Sequence, residues 1–152
     1  MSQLKAVEHL KNITVQDEYG TPFDKLEQIC KDCNINPIID VCTNTSNHKF
    51  PVYFTKDQDA LKKEWTRDFF MNPPYSKVAE FMQYAYQQHK KHNVNGLILT
   101  YSKTDTRWWH EFVEGKAEVH FIKGRIKFKD ENGNDTKYPA PYPSVWIIYR
   151  KK

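Results

Sequence analysis

The sequence lacks a long apolar run. Nowhere do its 152 residues hold the roughly 18 consecutive apolar side chains that a transmembrane helix needs, and the start, Met1-Ser2-Gln3-Leu4-Lys5, has no signal-peptide core. A cytoplasmic protein is expected. Cysteine is scarce and odd in number, at three, which argues against a disulfide framework. Internal repeats and low-complexity linkers are absent. Glycine is scarce too, at five, and none falls in the Thr43-Asn44-Thr45-Ser46-Asn47 loop. There a backbone that approaches a ligand closely would normally want it, and Asn44 and Asn47 are the next best residues for positive φ.

The residues present describe one globular domain spanning 1–152, with 1–17 as an N-terminal arm. Hydrophobic residues are 39% and charged residues 28%, ordinary for a folded chain. The net charge of +4 and pI near 8.8 are compatible with a polyanionic partner. Aromatics make up 14%; some must build the core, and a surplus could stack on bases.

The stretch that organises the chain is Asn72-Pro73-Pro74-Tyr75, after the apolar run Phe69-Phe70-Met71 and before a segment of helical periodicity. A strand ending there places the tetrad at the carboxyl edge of a sheet, where open α/β folds bind ligands. An exocyclic amine on a heterocycle is a poor nucleophile because its lone pair is delocalised. Two acceptors, the Asn72 side-chain oxygen and the Pro73 carbonyl, can hold its N–H bonds out of conjugation. Proline has no N–H and a fixed φ, so the turn is stiff. Tyr75 offers a stacking face worth about 1–3 kcal/mol per base. The plainer reading is a proline-rich turn.

Around the tetrad the pattern predicts a compact α/β Rossmann-like fold, mostly parallel with an antiparallel last strand. Pro37–Cys42, Val52–Thr55, Gly96–Thr100, Ala117–Ile122 and Ser144–Tyr149 read as strands. Phe23 to Cys33 and 77–92 read as helices, the first capped by Thr21, the second with Gln87, Gln88, Lys90 and Lys91 exposed and His89 and His92 as helix-terminus charges. A third helix, capped by Thr104 or Asp105, carries Trp108 and Trp109, one of which should be partly exposed. Gly124–Lys129 alternates like a strand, with Arg125, Lys127 and Lys129 on one side, and Asn132-Gly133 signals a hairpin. Those three cations, with Lys103 and Arg107, are candidate nucleic-acid contacts, Arg125 best placed for a base; solvated edge charges are the alternative. Asp40 could serve a cofactor or order its own loop. Asp57 or Asp59, after the second strand, could hold a ribose. Cys30, Cys33, Cys42 and His48 could form a zinc set by residue type, but Cys30 and Cys33 share an apolar helix face, so no metal is expected.

The tetrad resembles motif IV of amino-group methyltransferases that use S-adenosylmethionine. From about Glu18 to Tyr149 the chain resembles the phage-type DNA N-6-adenine methyltransferases, the Dam-like phage family. The pieces are Glu18-Tyr19-Gly20-Thr21-Pro22, Ile39-Asp40-Val41-Cys42, Asn47-His48-Lys49, Tyr53-Phe54-Thr55, Asp59-Ala60-Leu61 with Trp65, the tetrad, Thr104 to His110, Gly124 to Phe128 and Pro143-Ser144. The resemblance implies methyl transfer to adenine N6 in DNA, with Asn72, Pro73, Pro74 and Tyr75 catalytic. It implies Tyr19, Thr21, Pro22, Asp40, Cys42, Asp57 and Asp59 near S-adenosylmethionine. DNA is the implied partner; no membrane and no obligate protein partner are expected, and a homodimer is compatible. The same tetrad also suits cytosine N4, RNA or protein glutamine. The missing glycines leave room for an inactive DNA-binding protein, and the cysteines for a zinc-stapled module. With no space for a large target-reading domain, residues 123–143 are expected to carry DNA contacts.

Overall fold

A computed structural model describes residues 21–43, 48–129, 134 and 139–152. One six-stranded sheet dominates, in the order β2-β1-β3-β4-β6-β5. Its strands are β1 (Ile39–Thr43), β2 (Val52–Thr55), β3 (Phe69–Met71), β4 (Gly96–Tyr101), β5 (Glu118–Phe121) and β6 (Ser144–Tyr149). β2, β1, β3 and β4 run parallel, while β6 lies antiparallel to both β4 and β5. The predicted mixed architecture is therefore the observed one. The chain runs outward from β1 to β2 and then crosses back to β3, so the order reverses between β1 and β3. Such a reversal opens a crevice at the carboxyl ends of the strands.

Alternation along the strands supplies two cores, because successive side chains leave a strand on opposite faces. Phe70, Leu97, Leu99, Trp146 and Ile148 face helix α1 (Phe23–Cys33), which contributes Phe23, Leu26, Ile29 and Cys30. Ile126 and Phe128 complete that side. Phe69, Met71, Ile98, Ile147 and Tyr149 face the other way. There they meet Phe81, Met82 and Ala85 of α2 (Val78–His92) and both tryptophans of α3 (Arg107–Phe112). Trp65 is fully buried behind β3, edge-on to Phe69 at 5.0 Å, with its indole N–H donated to the Ala60 carbonyl.

Several local expectations are corrected. Pro22, not Thr21, is the N-cap of α1, and no side chain caps that helix. Thr106, rather than Thr104 or Asp105, caps α3 by accepting from Trp109 N–H. Trp108 and Trp109 are both buried, packed edge to face. Gln88 is not on a solvated face but accepts the Trp65 backbone N–H at 2.7 Å; His89 lies in the last turn of α2 as expected and is buried, its Nδ1 bonding the Val94 carbonyl at 2.7 Å and its ring stacked on Tyr149. His92 pairs with Glu64. Residues 124–128 keep their alternation, Ile126 and Phe128 inward, without forming a ladder strand. The Asn132-Gly133 hairpin and residues 1–17 lie outside the described residues.

The four residues of the zinc alternative do not converge, and no metal-holding group of three or more His, Cys, Asp or Glu exists among the described residues. Cys30 sits in the α1 core, and burial pushes its thiol up from 9.0 to about 12. Cys33 Sγ lies 3.8 Å from His120 Nε2, while His48 bonds the Phe50 carbonyl and stacks on Tyr53.

Two outcomes are expected. A Cβ on Gly96 would lie 2.5 Å from the ring of the fully buried Phe69. Gly96→Ala should therefore cost about 1–3 kcal/mol, as overpacked cores do, seen as a lower urea midpoint at unchanged slope. In the unfolded chain the Cys30 thiol ionises from its ordinary value of 9.0, whereas in the folded chain it stays protonated to about 12. The folded state then binds the extra proton, so stability falls as pH rises through that window. Cys30→Ala should show a shallower alkaline decline in urea titrations.

Candidate active site

The tetrad leaves β3 at the carboxyl edge of the sheet, beside the crevice between β1 and β3. Packing fixes the exit point, because all three residues of β3 are buried. Asn72 lies two residues beyond Phe70 and continues its direction, toward the α1 side. There its Nδ2 donates to Thr21 Oγ1 at 3.1 Å. Thr21 is 3% exposed. The hydroxyl expected to cap a helix thus meets the tetrad instead.

Hydrogen bonding within the tetrad is unequal. The Pro74 carbonyl accepts the Lys77 N–H at 3.0 Å, which folds Tyr75–Lys77 into a 3-10 turn leading to α2. The Pro73 carbonyl and the Asn72 Oδ1 accept from no described residue. One donor and one acceptor of the turn are engaged by protein, and two acceptors are left for something else.

Tyr75 is 42% exposed, and its ring lies flat against Tyr101, 4.3 Å away at 11°. Tyr101 in turn packs against Tyr142 at 5.2 Å, and Lys103 Nζ sits 3.5 Å over the Tyr142 ring. This row joins the tetrad to the end of β4 and to the loop before β6. Sequence reasoning missed Tyr101 and Tyr142 as part of the site. The signals were a tyrosine directly after the apolar run of β4 and a stiff aromatic-proline loop. That loop is held at both ends. Ser102 N–H donates to the Pro143 carbonyl at 3.0 Å, Ala140 N–H to the Ile126 carbonyl at 2.8 Å, and Arg125 Nη1 to the Pro141 carbonyl at 2.7 Å.

The cations thus part company. Lys103 joins the aromatic row. Arg125 spends one of its guanidinium nitrogens on the loop and keeps further donors. Lys127 is exposed, Lys129 adds to the positive field at Lys49, and Arg107 is exposed and paired with Glu111.

The residues expected near a cofactor divide as well. Asp40 is buried; its Oδ2 accepts the Lys49 backbone N–H at 2.9 Å. Burial pushes the Lys49 ammonium down, the Asp40 carboxylate pulls it back up, and Lys129 adds to the fall. Asp40 therefore holds a buried cation, a partner that sequence reasoning did not assign. Asp59 adopts a left-handed φ of 53° and caps the Ala60–Lys62 turn, its Oδ1 accepting Leu61 N–H at 3.2 Å. Asp57 is exposed after β2, and Cys42 is half-buried near the end of β1. Pro22 is buried at the head of α1, beside Thr21. Tyr19 lies outside the described residues.

With this geometry in place, comparison with known proteins is direct. The family of DNA N-6-adenine-methyltransferases (Dam) matches residues 9–152. The DNA N-6-adenine-methyltransferase of Haemophilus phage HP1 (strain HP1c1) is 30% identical over 140 residues, covering 90% of this chain and 80% of that protein. The DNA N-6-adenine-methyltransferase of Escherichia phage T1 is 24% identical over 99 residues, which is 64% of this chain and 41% of that protein. The matched span takes in every strand of the sheet, the tetrad and the loop before β6, and the chain belongs to the DNA N-6-adenine-methyltransferase (Dam) family.

Proposed function

We propose that this chain transfers a methyl group from S-adenosylmethionine to the N6 amine of adenine in DNA, with Asn72 and Pro73 orienting the amine and Tyr75 stacking on the base. The observation that carries this reading is the division of hydrogen bonding at the tetrad. The Asn72 Nδ2 and Pro74 carbonyl are engaged, while the Asn72 Oδ1 and Pro73 carbonyl accept from no described residue. Two acceptors on one stiff turn match an –NH₂ group, which has two hydrogens to give.

Adenine N6 lies inside the duplex stack, so the base has to be extruded to reach a turn at a sheet edge. Once there, the two acceptors draw the N–H bonds out of the ring plane and return lone-pair density to nitrogen. Tyr75, braced by Tyr101, holds the ring in one orientation, so catalysis here is positioning. The proton lost after transfer leaves to solvent. S-adenosylmethionine, when bound, supplies the electrophilic methyl.

The chain's own residues fit that donor at the crevice between β1 and β3. Asp57 and Asp59 stand after β2, where a carboxylate suits ribose hydroxyls, with Cys42 near the end of β1 and Pro22 at the head of α1. Asp40 acts through Lys49, fixing β1 from its start rather than at the crevice. Lys103, Arg125, Lys127 and Lys129 offer positive charge on the DNA side of the edge; Arg107 is a weaker contact because Glu111 already pairs with it. A cytoplasmic enzyme agrees with the absence, among the described residues, of any helix long and apolar enough to cross a membrane.

Calorimetry with S-adenosylmethionine should give binding by both wild type and Asn72→Ala, with tritium-methyl transfer to unmodified DNA lowered about a hundredfold or more in the variant, the cost of a misplaced reactant. Absence of binding by the wild type would sink the enzyme reading in favour of an inactive DNA binder. Tyr75→Ala should lower kcat/KM for DNA by an amount equivalent to about 1–3 kcal/mol, and Tyr75→Phe should restore it, since the ring face and not the hydroxyl is used.

A further inference from the structure

We propose that Tyr142 is a second stacking platform, which takes the base flanking the target adenine while the target itself lies on Tyr75. The inference rests on the reading of the tetrad given above and adds a DNA contact to it. Its starting point is what extrusion does to the duplex. A base turned out of the stack leaves its neighbour with one face bare. An aromatic side chain can cover that face whatever the neighbour is, because every base has a π-face. A ring held ready beside the extrusion site therefore offsets part of the cost of opening the duplex.

Tyr142 is so placed. The large hydrophobic side chains exposed among the described residues are Val52, Tyr75, Phe121 and Tyr142. Two of these, Tyr75 and Tyr142, belong to one row. The buried Tyr101 joins them, flat against Tyr75 at 4.3 Å and tilted by 59° against Tyr142 at 5.2 Å. Tyr142 is thus two short ring-to-ring steps from the tetrad, and 46% of it is exposed.

The ring is fixed before any DNA arrives. Prolines 141 and 143 flank it, each with a restricted φ. The Pro141 carbonyl accepts Arg125 Nη1 at 2.7 Å, and the Pro143 carbonyl accepts the Ser102 N–H at 3.0 Å. Lys103 Nζ lies 3.5 Å over one face of the ring, so a base would use the other. A side chain ordered in advance loses little freedom on binding. The same two cations set the ring in positive surroundings, which a phosphate backbone can approach closely. A ring that only propped Tyr101 would not make binding depend on the neighbouring base, and this separates the two roles.

The test uses the full chain and a short duplex that wild type methylates, either intact or with an abasic site replacing the base on one side or the other of the target adenine. Binding is read by fluorescence anisotropy with S-adenosylhomocysteine present, which has no methyl group to give, and thermal melting reports on the fold. Tyr142→Leu keeps an apolar side chain and removes the aromatic face. Expected is binding of the intact duplex about tenfold weaker in Tyr142→Leu, the worth of one stacked base, with Tyr142→Phe close to wild type. On one of the two abasic duplexes the gap between wild type and Tyr142→Leu should close, since the base that the ring would hold is gone. Should leucine prevent folding, Tyr142→Ala removes the same ring and is read the same way. Wild-type affinity in the leucine variant would overturn the inference. So would a gap that persists on both abasic duplexes, which would leave Tyr142 as a prop for Tyr101. A phenylalanine variant as weak as leucine would overturn it too, because the hydroxyl and not the ring face would then be in use. A wild type that methylates no DNA would instead bring down the reading on which the inference stands.

Discussion

The burial of β3 on both of its faces is the constraint from which the rest of the site follows. This strand is only three residues long, and isolated it would have no stability. It is held by neighbours. Phe70 enters the α1 core, while Phe69 and Met71 enter the α2 core. Phe69 is gripped further by Trp65 from behind and by the close approach of Gly96 on β4, where a larger residue would collide with its ring. A strand fixed this way cannot slide by one residue, since a slip would exchange its two faces and send Phe70 to the wrong core. The direction in which Asn72 emerges is therefore set by packing behind the site, before any polar contact is made. The two prolines carry that direction forward, because neither can relax its φ.

Polar contacts then divide between those that hold the site and those that face the crevice. Asp40 and Lys49 belong to the first kind. Both are buried near the start of β1, and each limits the other's cost, for a buried charge is tolerated only with a partner. Gln88 and His89 do the same for α2, one tying the helix to Trp65 and the other closing its C-terminus on Val94. The Asn72–Thr21 bond stands on the boundary, since Thr21 is buried at the head of α1 and Asn72 opens the tetrad at the sheet edge.

How much of this was legible follows from which signals are local. β3, β4 and β6 read clearly because their apolar runs have no competing period. Gly124–Lys129 misread as a strand because an extended segment lying on a core has the same alternation as a strand; only ladder hydrogen bonds distinguish them, and those depend on a partner that the local pattern does not name. Gln88 misread because a polar residue on a helix is assigned to water by default, whereas here it accepts a backbone N–H inside the fold. Both tryptophans are buried because they pack edge to face under one sheet face, a tertiary fit that helical periodicity does not contain. Of the candidate site, the tetrad was readable as a string. Thr21 was found for another reason, and its contact with Asn72 joins residues too far apart for any local pattern to reveal.

The electrostatics of the edge have a similar logic. A net charge of +4 is too small to define a DNA-binding face by itself, so placement matters more than sum. Arg107, Lys91 and Arg150 are matched by Glu111, Glu64 and Glu118 in exposed pairs, whose local fields largely cancel and which contribute little stability. Among the described residues, Lys103, Lys123, Arg125 and Lys127 pair with no carboxylate, and they sit on or beside the segments that converge around the loop before β6. Under the proposed function, their field would be neutralised by the DNA backbone, with release of its counterions. Because Arg125 and Lys103 also brace that loop, the groups that would meet DNA and the groups that hold the aromatic row are partly the same. In a sheet this small, one set of side chains can serve both purposes only because the loop carrying Tyr142 is stapled at Ser102, at Arg125 and at Ile126 together.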